Sequence, residues 1–318
     1  MSEPGQLPID LSFVVPVYNG AASIGTVVET ILREYDDLSI EIVLVDDGSV
    51  DDSTAVCADL VRRHPARVML LELARNFGEH AAVLAGLAHT RGAAVAVLDD
   101  DGQNPPAEVR RLHQTLLEGD HDVVYGRYVA KRHGWLRNLG SRFNDRMANL
   151  MLKKPSTLYL SSFKVLNRFI VDEILRYKGS FPYIDGLILR STARLGQIDV
   201  RHEMRRSGSS NYTIRKLLRL WLNMFLNFSI LPLRISALLG VATAGVSLLL
   251  LVAIVVDKLY INPEVTHGLP TVLVVITLFA GVQLVILGTM GEYLGRLFMD
   301  HSNSPQYVVR RVRGGADR

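Results

Sequence analysis

The 318-residue chain has one cysteine, Cys57, which excludes an intramolecular disulfide and any multi-cysteine metal site and suits a reducing compartment. Charge of one sign is scarce too. Thirty-five Lys and Arg against 32 Asp and Glu leave a net +3, too little for a global electrostatic footprint, so no nucleic-acid partner is expected. The first ten residues show no basic run followed by an apolar one, so no export signal is read there. No Gly-x-Gly-x-x-Gly follows an apolar run, which argues against a dinucleotide-binding dehydrogenase. None of the nine histidines forms a His-Glu-x-x-His pair, which argues against a zinc hydrolase, and His80 reads as structural. No repeat or low-complexity segment stands out.

What the chain has in excess is apolar character, 48% of residues with a mean hydropathy of +0.19, unevenly spread. Up to about residue 129, short apolar runs at 11–16, 40–45, 68–73, 93–98 and 123–125 read as buried strands. Helical patterns at 23–34, 53–64, 79–90 and 106–118 lie between them. This alternation predicts an α/β domain with a mostly parallel sheet and helices on both faces. The stretch 130–211 is less regular, with helices expected over 136–152 and 167–175, and with the basic run Lys131-Arg132-His133 on a solvated loop near anionic lipid.

Composition then shifts. Residues 212–230, with Arg215, Lys216, Arg219, Trp221, Phe225 and Phe228, read as an amphipathic helix lying on a membrane surface. Two uncharged stretches follow, 235–256 and 269–290. At about 1.5 Å rise per residue, each spans a hydrocarbon core of about 30 Å. Arg215, Lys216, Arg219 and Arg234 precede the first, and Arg296, Arg310, Arg311 and Arg313 follow the second; the loop between holds Asp257, Lys258 and Glu264. The basic flanks predict a multi-pass hairpin in the inner (cytoplasmic) membrane, with the catalytic domain and both termini cytoplasmic. The expected layout is a catalytic domain at 1–211, a juxtamembrane segment at 212–234, two spans within 235–291 and a tail at 292–318.

The acidic clusters fall at strand ends, where ligands of such sheets collect. Asp99-Asp100-Asp101 ends the fourth strand and leads into Gly102-Gln103-Asn104-Pro105-Pro106. Adjacent carboxylates repel, and Asp99 with Asp101 share a side if the strand geometry persists. That pair suits Mg²⁺ or Mn²⁺ holding a diphosphate, where the cation neutralises charge on a leaving nucleoside diphosphate. The plainer alternative is an acidic loop or helix cap. Asp46-Asp47-Gly48-Ser49 ends the second strand; a carboxylate there suits a base or ribose, and a helix-capping turn into Asp51-Asp52-Ser53 is the alternative.

Pro16-Val17-Tyr18-Asn19, Asp46-Asp47-Gly48-Ser49, Asn76-Phe77-Gly78 and Asp99-x-Asp101 together resemble glycosyltransferase family 2 with its GT-A, Rossmann-like fold. The runs at 122–127 and 137–141, Phe228-Ser229-x-x-Pro232-Leu233-Arg234 and Gly291-Glu292-Tyr293-Leu294-Gly295-Arg296 narrow this to the polyprenyl-phosphate branch. That branch includes dolichol-phosphate mannose synthases and bacterial undecaprenyl-phosphate transferases of 4-deoxy-4-formamido-L-arabinose. The resemblance implies inverting transfer of a sugar from a nucleotide-sugar donor to a polyprenyl phosphate acceptor among membrane lipids, with a homo-oligomer left open.

Carried onto this chain, it places Pro16, Tyr18, Val45 and Asp47 along the nucleotide pocket, with Asp46 and Asn76 as further substrate contacts. Asp99, Asp101 and Gln103 would hold the metal with Asp100 beside it, Asp101 acting in catalysis. Arg127 would contact donor or acceptor phosphate, and Arg137 with Ser141 the lipid phosphate. Arg205, in the segment that runs on through Ser210, would close over the pyrophosphate. An Arg fork matches phosphate oxygens, which suits these roles independently.

Departures are also visible. Gly20 stands where the family often has Glu, Ser162 where it has Asp, Lys164 where it has Arg, and Asn211 where it has Lys. Asp185 is the leftover candidate for a base, with a loop cap as its alternative. Since a phosphate monoester is largely dianionic at pH 7, no base is expected to be needed. Two rivals are a processive polysaccharide synthase, whose Gln-x-x-Arg-Trp is absent, and a non-catalytic membrane scaffold, against which the intact acidic pairs argue.

Overall fold

The computed structural model of the protein describes residues 9–128, 158–201, 231–256, 259–260, 269–301 and 305–315. The helices expected over 136–152 and 212–230, and the site residues Arg137, Ser141, Arg205 and Ser210, lie outside these residues. The chain divides into two compact units, Met1–Tyr212 with Asn303–Arg318, and Thr213–Ser302.

The first unit begins with β1 (Leu11–Val17), α1 (Ile24–Glu34), β2 (Ile40–Asp46), α2 (Ser53–Arg63), β3 (Val68–Leu73), α3 (Glu79–Leu87), β4 (Ala94–Val97), α4 (Ala107–Glu118) and β5 (Val123–Tyr128). It continues with β6 (Lys164–Asn167), α5 (Arg168–Leu175), α6 (Ile184–Ser191) and β7 (Leu195–Val200). Every residue of β2 is buried, as a strand covered on both faces by helices requires. In α1 the buried side chains Ile24, Val27, Val28, Ile31 and Leu32 recur at helical spacing. Fully burying an aliphatic side chain is worth about 1.5–3 kcal/mol, so that stripe fixes the helix to the sheet.

Strand order is β7-β5-β6-β4-β1-β2-β3-β8, where β8 is Val309–Arg313. Parallel pairing joins β1 to β2 and β4, β2 to β3, and β5 to β7. β6 runs antiparallel between β4 and β5. One core packs α1, α2 and α4 against one face, and a second packs α3, α5 and α6 against the other. The carboxyl ends of β1, β2 and β4 therefore open on a common crevice, which is where the acidic motifs lie.

Four elements were not foreseen: β6, α6, β7 and β8. β6 is short and carries the buried Lys164, and β7 mixes Gly196 and Asp199 into its run, so neither has a clean apolar signature. β8 lies in what the sequence presented as a simple tail. It pairs antiparallel with β3, Arg313 pairs with Glu72, and Ala74 N donates to Val308 O at 2.8 Å. Gln306 Nε2 donates to the carbonyls of Tyr177 (3.1 Å) and Gly179 (2.7 Å). Arg310, Arg311 and Arg313, counted above as a membrane flank, thus belong to a strand of this unit, and long charged side chains suit its edge position.

The second unit contains α7 (Leu231–Val256) and α8 (Leu269–His301). They run antiparallel. Ser236 Oγ donates to Thr289 Oγ1 at 3.3 Å, and one turn on, Gly240 lies against Ile286. Among the described residues one stretch, Leu278–Gly295 of α8, is long and apolar enough to cross a membrane. Large apolar side chains on both helices face outward, Leu249 at 71% exposure and Leu284 at 69%.

Candidate active site

One side of the crevice is built around Asp47. Its Oδ1 accepts from Phe77 N at 2.7 Å and its Oδ2 from Gly78 N at 2.9 Å, which ties the β2 end to the loop leading into α3. Burial raises the Asp47 carboxyl above the usual carboxylate range, and these two bonds oppose the rise. Gly48 has φ +69°, and a Cβ there would lie 2.7 Å from Arg75 C and Asn76 N. Only glycine lets the two loops meet so closely. Arg75 lies over the Phe77 ring, 4.3 Å from its centroid, beside exposed Asn76. Pro16 is half-buried at the end of β1, and Tyr18 is exposed beyond it.

Two expected substrate contacts are used otherwise. Val45 is wholly buried against Gly86 of α3, so its side chain backs the pocket and does not line it. Asp46 is spent on its own turn, accepting from Ser49 N at 2.9 Å and from the Thr54 hydroxyl.

On the opposite side, Asp99 Oδ2 accepts from Ser162 Oγ at 2.7 Å and Asn104 Nδ2 at 2.9 Å. Burial, and then the charge of Asp101, push the Asp99 carboxyl up, while Ser162 opposes. Asp101 accepts from Gln103, at Oδ1 from the main-chain N (3.0 Å) and at Oδ2 from Nε2 (2.9 Å). Asp101 also lines a cleft of about 280 Å³ shared with Ser23, Thr26 and Pro105. Arg127 Nε donates to Asp199 Oδ1 of β7 at 2.5 Å, a solvent-screened pair at the outer end of β5. Burial pushes the His80 imidazole down to about 4, so it stays neutral, packed edge-on against Tyr183 at 4.8 Å.

Among the described residues no group of three or more His, Cys, Asp and Glu side chains forms a metal cage. The donor set still fits a hard cation. Mg²⁺-type sites use one or two carboxylates completed by substrate phosphates, and here two carboxylates with a neighbouring Gln share one loop. Burial, and then the Asp101 charge, raise Asp99, and a cation held between the two carboxylates would oppose both.

The sequence pattern described as "Glycosyl transferase family 2" matches residues 12–175. The undecaprenyl-phosphate 4-deoxy-4-formamido-L-arabinose transferase of Serratia proteamaculans (strain 568) is 32% identical over 96% of this chain and 94% of its own. The same-named protein of Proteus mirabilis (strain HI4320) is 31% identical over 96% and 94%. The chain belongs to glycosyl transferase family 2. It is a glycosyltransferase. Glucosyl-3-phosphoglycerate synthase from Mycobacterium tuberculosis, solved with Mn²⁺, UDP and glucosyl-3-phosphoglycerate, superposes with a TM-score of 0.50. It is 20% identical and covers 71% of this chain and 85% of its own, a likeness that shows the shared GT-A-like fold.

Within that family frame the departures acquire physical content. A Cβ on Gly20 would lie 2.2 Å from Asp100 Oδ2, so the absent Glu leaves the space that Asp100 occupies. Asp100 Oδ2 in turn accepts from Tyr18 N at 3.2 Å. Lys164 forms a buried ion pair with Asp185, whose Oδ1 also accepts from Tyr125 OH at 3.0 Å. Asp185 is thus in the first turn of α6 with a buried partner, which replaces the loop-cap reading. Ser162 and Asn104, which sequence reasoning did not assign to the site, are the residues that grip Asp99. The only advance signal was Ser162 standing where the family has an acid.

Proposed function

We propose that this glycosyltransferase moves a sugar from a nucleotide-sugar to a polyprenyl phosphate, with undecaprenyl phosphate as the carrier, at the cytoplasmic face of the inner membrane. The observation that carries the reading is the convergence of Asp47 and the Asp99–Asp101 cluster on one crevice. It belongs to a chain that matches undecaprenyl-phosphate transferases along almost its whole length. Asp99, Asp101 and Gln103 would hold Mg²⁺ or Mn²⁺, which when bound offsets charge on the departing diphosphate.

The chain's own residues do the rest. Asp47, with Asn76 beside it, orients the nucleoside, and Pro16 and Tyr18 form the adjoining wall. Arg127 exchanges Asp199 for a phosphate oxygen, a planar fork matching the anion. An acceptor phosphate oxygen forms its bond to the anomeric carbon as the bond from that carbon to the diphosphate breaks, with inversion. The acceptor arrives largely dianionic, with a second pKa near about 6, so no proton need be removed and positioning dominates. Arg137 and Ser141 are assigned to the lipid phosphate, and Arg205 with Ser210 to closure over the diphosphate.

The membrane part of the reading rests on two apolar helices and on β8. Because β8 pairs with β3, the chain before α7 and the chain after α8 belong to one unit on one side of a bilayer. That supports an even number of crossings, two for α7 and α8, and the outward leucines then meet lipid. A long isoprenoid acceptor stays in the bilayer, so an enzyme acting on its head group gains from such an anchor.

The test is a panel of radiolabelled nucleotide-sugars incubated with membranes containing the protein and with undecaprenyl phosphate. Label is expected in the lipid extract for one donor, only with Mg²⁺ or Mn²⁺ present. Full transfer in excess EDTA rejects the metal assignment, and label in water-soluble polymer instead of lipid rejects the acceptor. Reporter fusions after Arg318 and near Pro263 are expected to be cytoplasmic and exported, respectively. A cytoplasmic Pro263 loop rejects the hairpin.

A further inference from the structure

Three hydrogen bonds link four side chains behind the acidic cluster. Ser162 Oγ and Asn104 Nδ2 both donate to Asp99 Oδ2, and Tyr128 OH donates to Asn104 Oδ1 at 2.6 Å. The members come from three places: the end of β5, the loop after β4 and the approach to β6. Asn104 is buried, at 1% exposure. Its amide has one workable orientation. An ionised Asp99 only accepts, so Nδ2 faces it, and Oδ1 is then left to accept from the Tyr128 phenol.

Two donors on one oxygen fix the rotation of the Asp99 carboxylate. Among the described residues no donor reaches its other oxygen, Oδ1. An acid at position 162, the residue type the family often has there, would put a further negative charge against Asp99 and Asp101. A serine hydroxyl supplies a donor instead.

We propose that Ser162 is a positioning residue. With Asn104, itself set by Tyr128, it holds Asp99 through Oδ2 so that Oδ1 is the oxygen left for the divalent cation. This rests on the metal assignment made above, and it concerns how this chain prepares Asp99 for the ion. Ser162 touches neither donor nor acceptor in this scheme and acts only through Asp99.

The experiment is Mn²⁺ binding to the full-length protein in detergent, followed by the electron paramagnetic resonance signal of free Mn²⁺ without any sugar donor. Wild type is compared with Ser162→Ala, Ser162→Thr and Tyr128→Phe, and each melting temperature is recorded. Ser162→Ala is expected to weaken Mn²⁺ binding roughly tenfold, the scale of losing one hydrogen bond to a charged acceptor. Ser162→Thr keeps the hydroxyl and is expected within about twofold of wild type, whereas Tyr128→Phe is expected to lose roughly threefold. Transfer by Ser162→Ala is expected to recover as Mn²⁺ is raised. Wild-type Mn²⁺ affinity in a folded Ser162→Ala overturns the inference while leaving the metal assignment intact. If Ser162→Ala does not fold, an unchanged affinity in Tyr128→Phe overturns it. A wild type that binds no Mn²⁺ overturns the metal assignment and this inference together.

Discussion

On the wall formed by the ends of β2 and β3, Asp47 is gripped by main-chain N–H groups of Phe77 and Gly78; on the wall formed by β4, β5 and β6, Asp99 is gripped by the side chains of Asn104 and Ser162. Main-chain donors survive substitution of the residues that carry them. Side-chain donors do not. The first wall therefore depends on Asp47 and on a glycine at 48, and the second can be retuned one side chain at a time. Gly20, Ser162 and Lys164, three of the departures from the family pattern, all bear on the second wall or its backing.

The largest break in this comparison is expected at Asp101. Asp101→Asn removes a charge, keeps a carbonyl oxygen for the bond from Gln103 N, and can donate its new NH2 to Oε1 of a turned Gln103 amide, so melting should stay near wild type. Transfer should fall on the order of 10³-fold, the scale of several kcal/mol of charge stabilisation. Radiolabel transfer into lipid measures it. Near-normal activity would remove the second wall from the chemistry.

Behind the second wall, Lys164 and Asp185 test stability rather than catalysis. Both are buried, and removing one partner of a buried pair costs about 3–5 kcal/mol because the other charge is left alone. Asp185→Asn should lower the denaturation midpoint strongly while folded protein still transfers sugar. Lys164→Met combined with Asp185→Leu should recover most of that stability. A folded Asp185→Asn protein that binds both substrates yet is as inactive as Asp101→Asn would instead make Asp185 a base.

Asp47→Ala sharpens the comparison from the other side. Phe77 N and Gly78 N lose their acceptor, a loss of about 2 kcal/mol in chemical denaturation, and nucleoside diphosphate binding should weaken with it. Phe77→Leu changes the side chain but keeps the donor, so binding should stay within about threefold of wild type. Equal losses in the two variants would mean that the ring of Phe77, and not its main chain, makes that wall.

The first half of the sheet was legible because its strands are continuous apolar runs separated by clean helical stripes; β1, β2 and β3 lie within a residue of their expected bounds. Asp47, Asp99 and Asp101 were legible because carboxylates at strand ends in a parallel sheet fall in one crevice. β6 was not, since a strand of four residues with a buried lysine shows no period. β8 was not, because Val309, Val312 and three arginines read as a charged tail until β3 supplies the edge. Ser162 and Asn104 grip Asp99 across 63 and 5 positions of sequence, and only the antiparallel insertion of β6 brings the first of them there.

The smallest expected effect concerns Glu79, the first residue of α3, which follows Gly78 of the first wall and feels the charges of the second. The residue is exposed overall, yet its carboxyl is pushed up to about 7, first by desolvation and then by the Asp99 charge, with Lys164 opposing. An unperturbed glutamate has a pKa near about 4.3, so between that value and about 7 the folded protein holds a proton that the unfolded chain has lost. Stability from this group is therefore fully present below the lower value and falls as pH rises toward the upper one. Binding follows the same sign. Above pH 7 an ionised Glu79 adds repulsion toward a diphosphate, so nucleoside diphosphate affinity in metal-free protein should fall about threefold between pH 6 and 8. Glu79→Gln mimics the neutral acid and should show a flatter profile in both melting temperature and affinity. Superimposable pH profiles for the two proteins would show that Glu79 does not titrate in this range and that the charges of the second wall do not reach it.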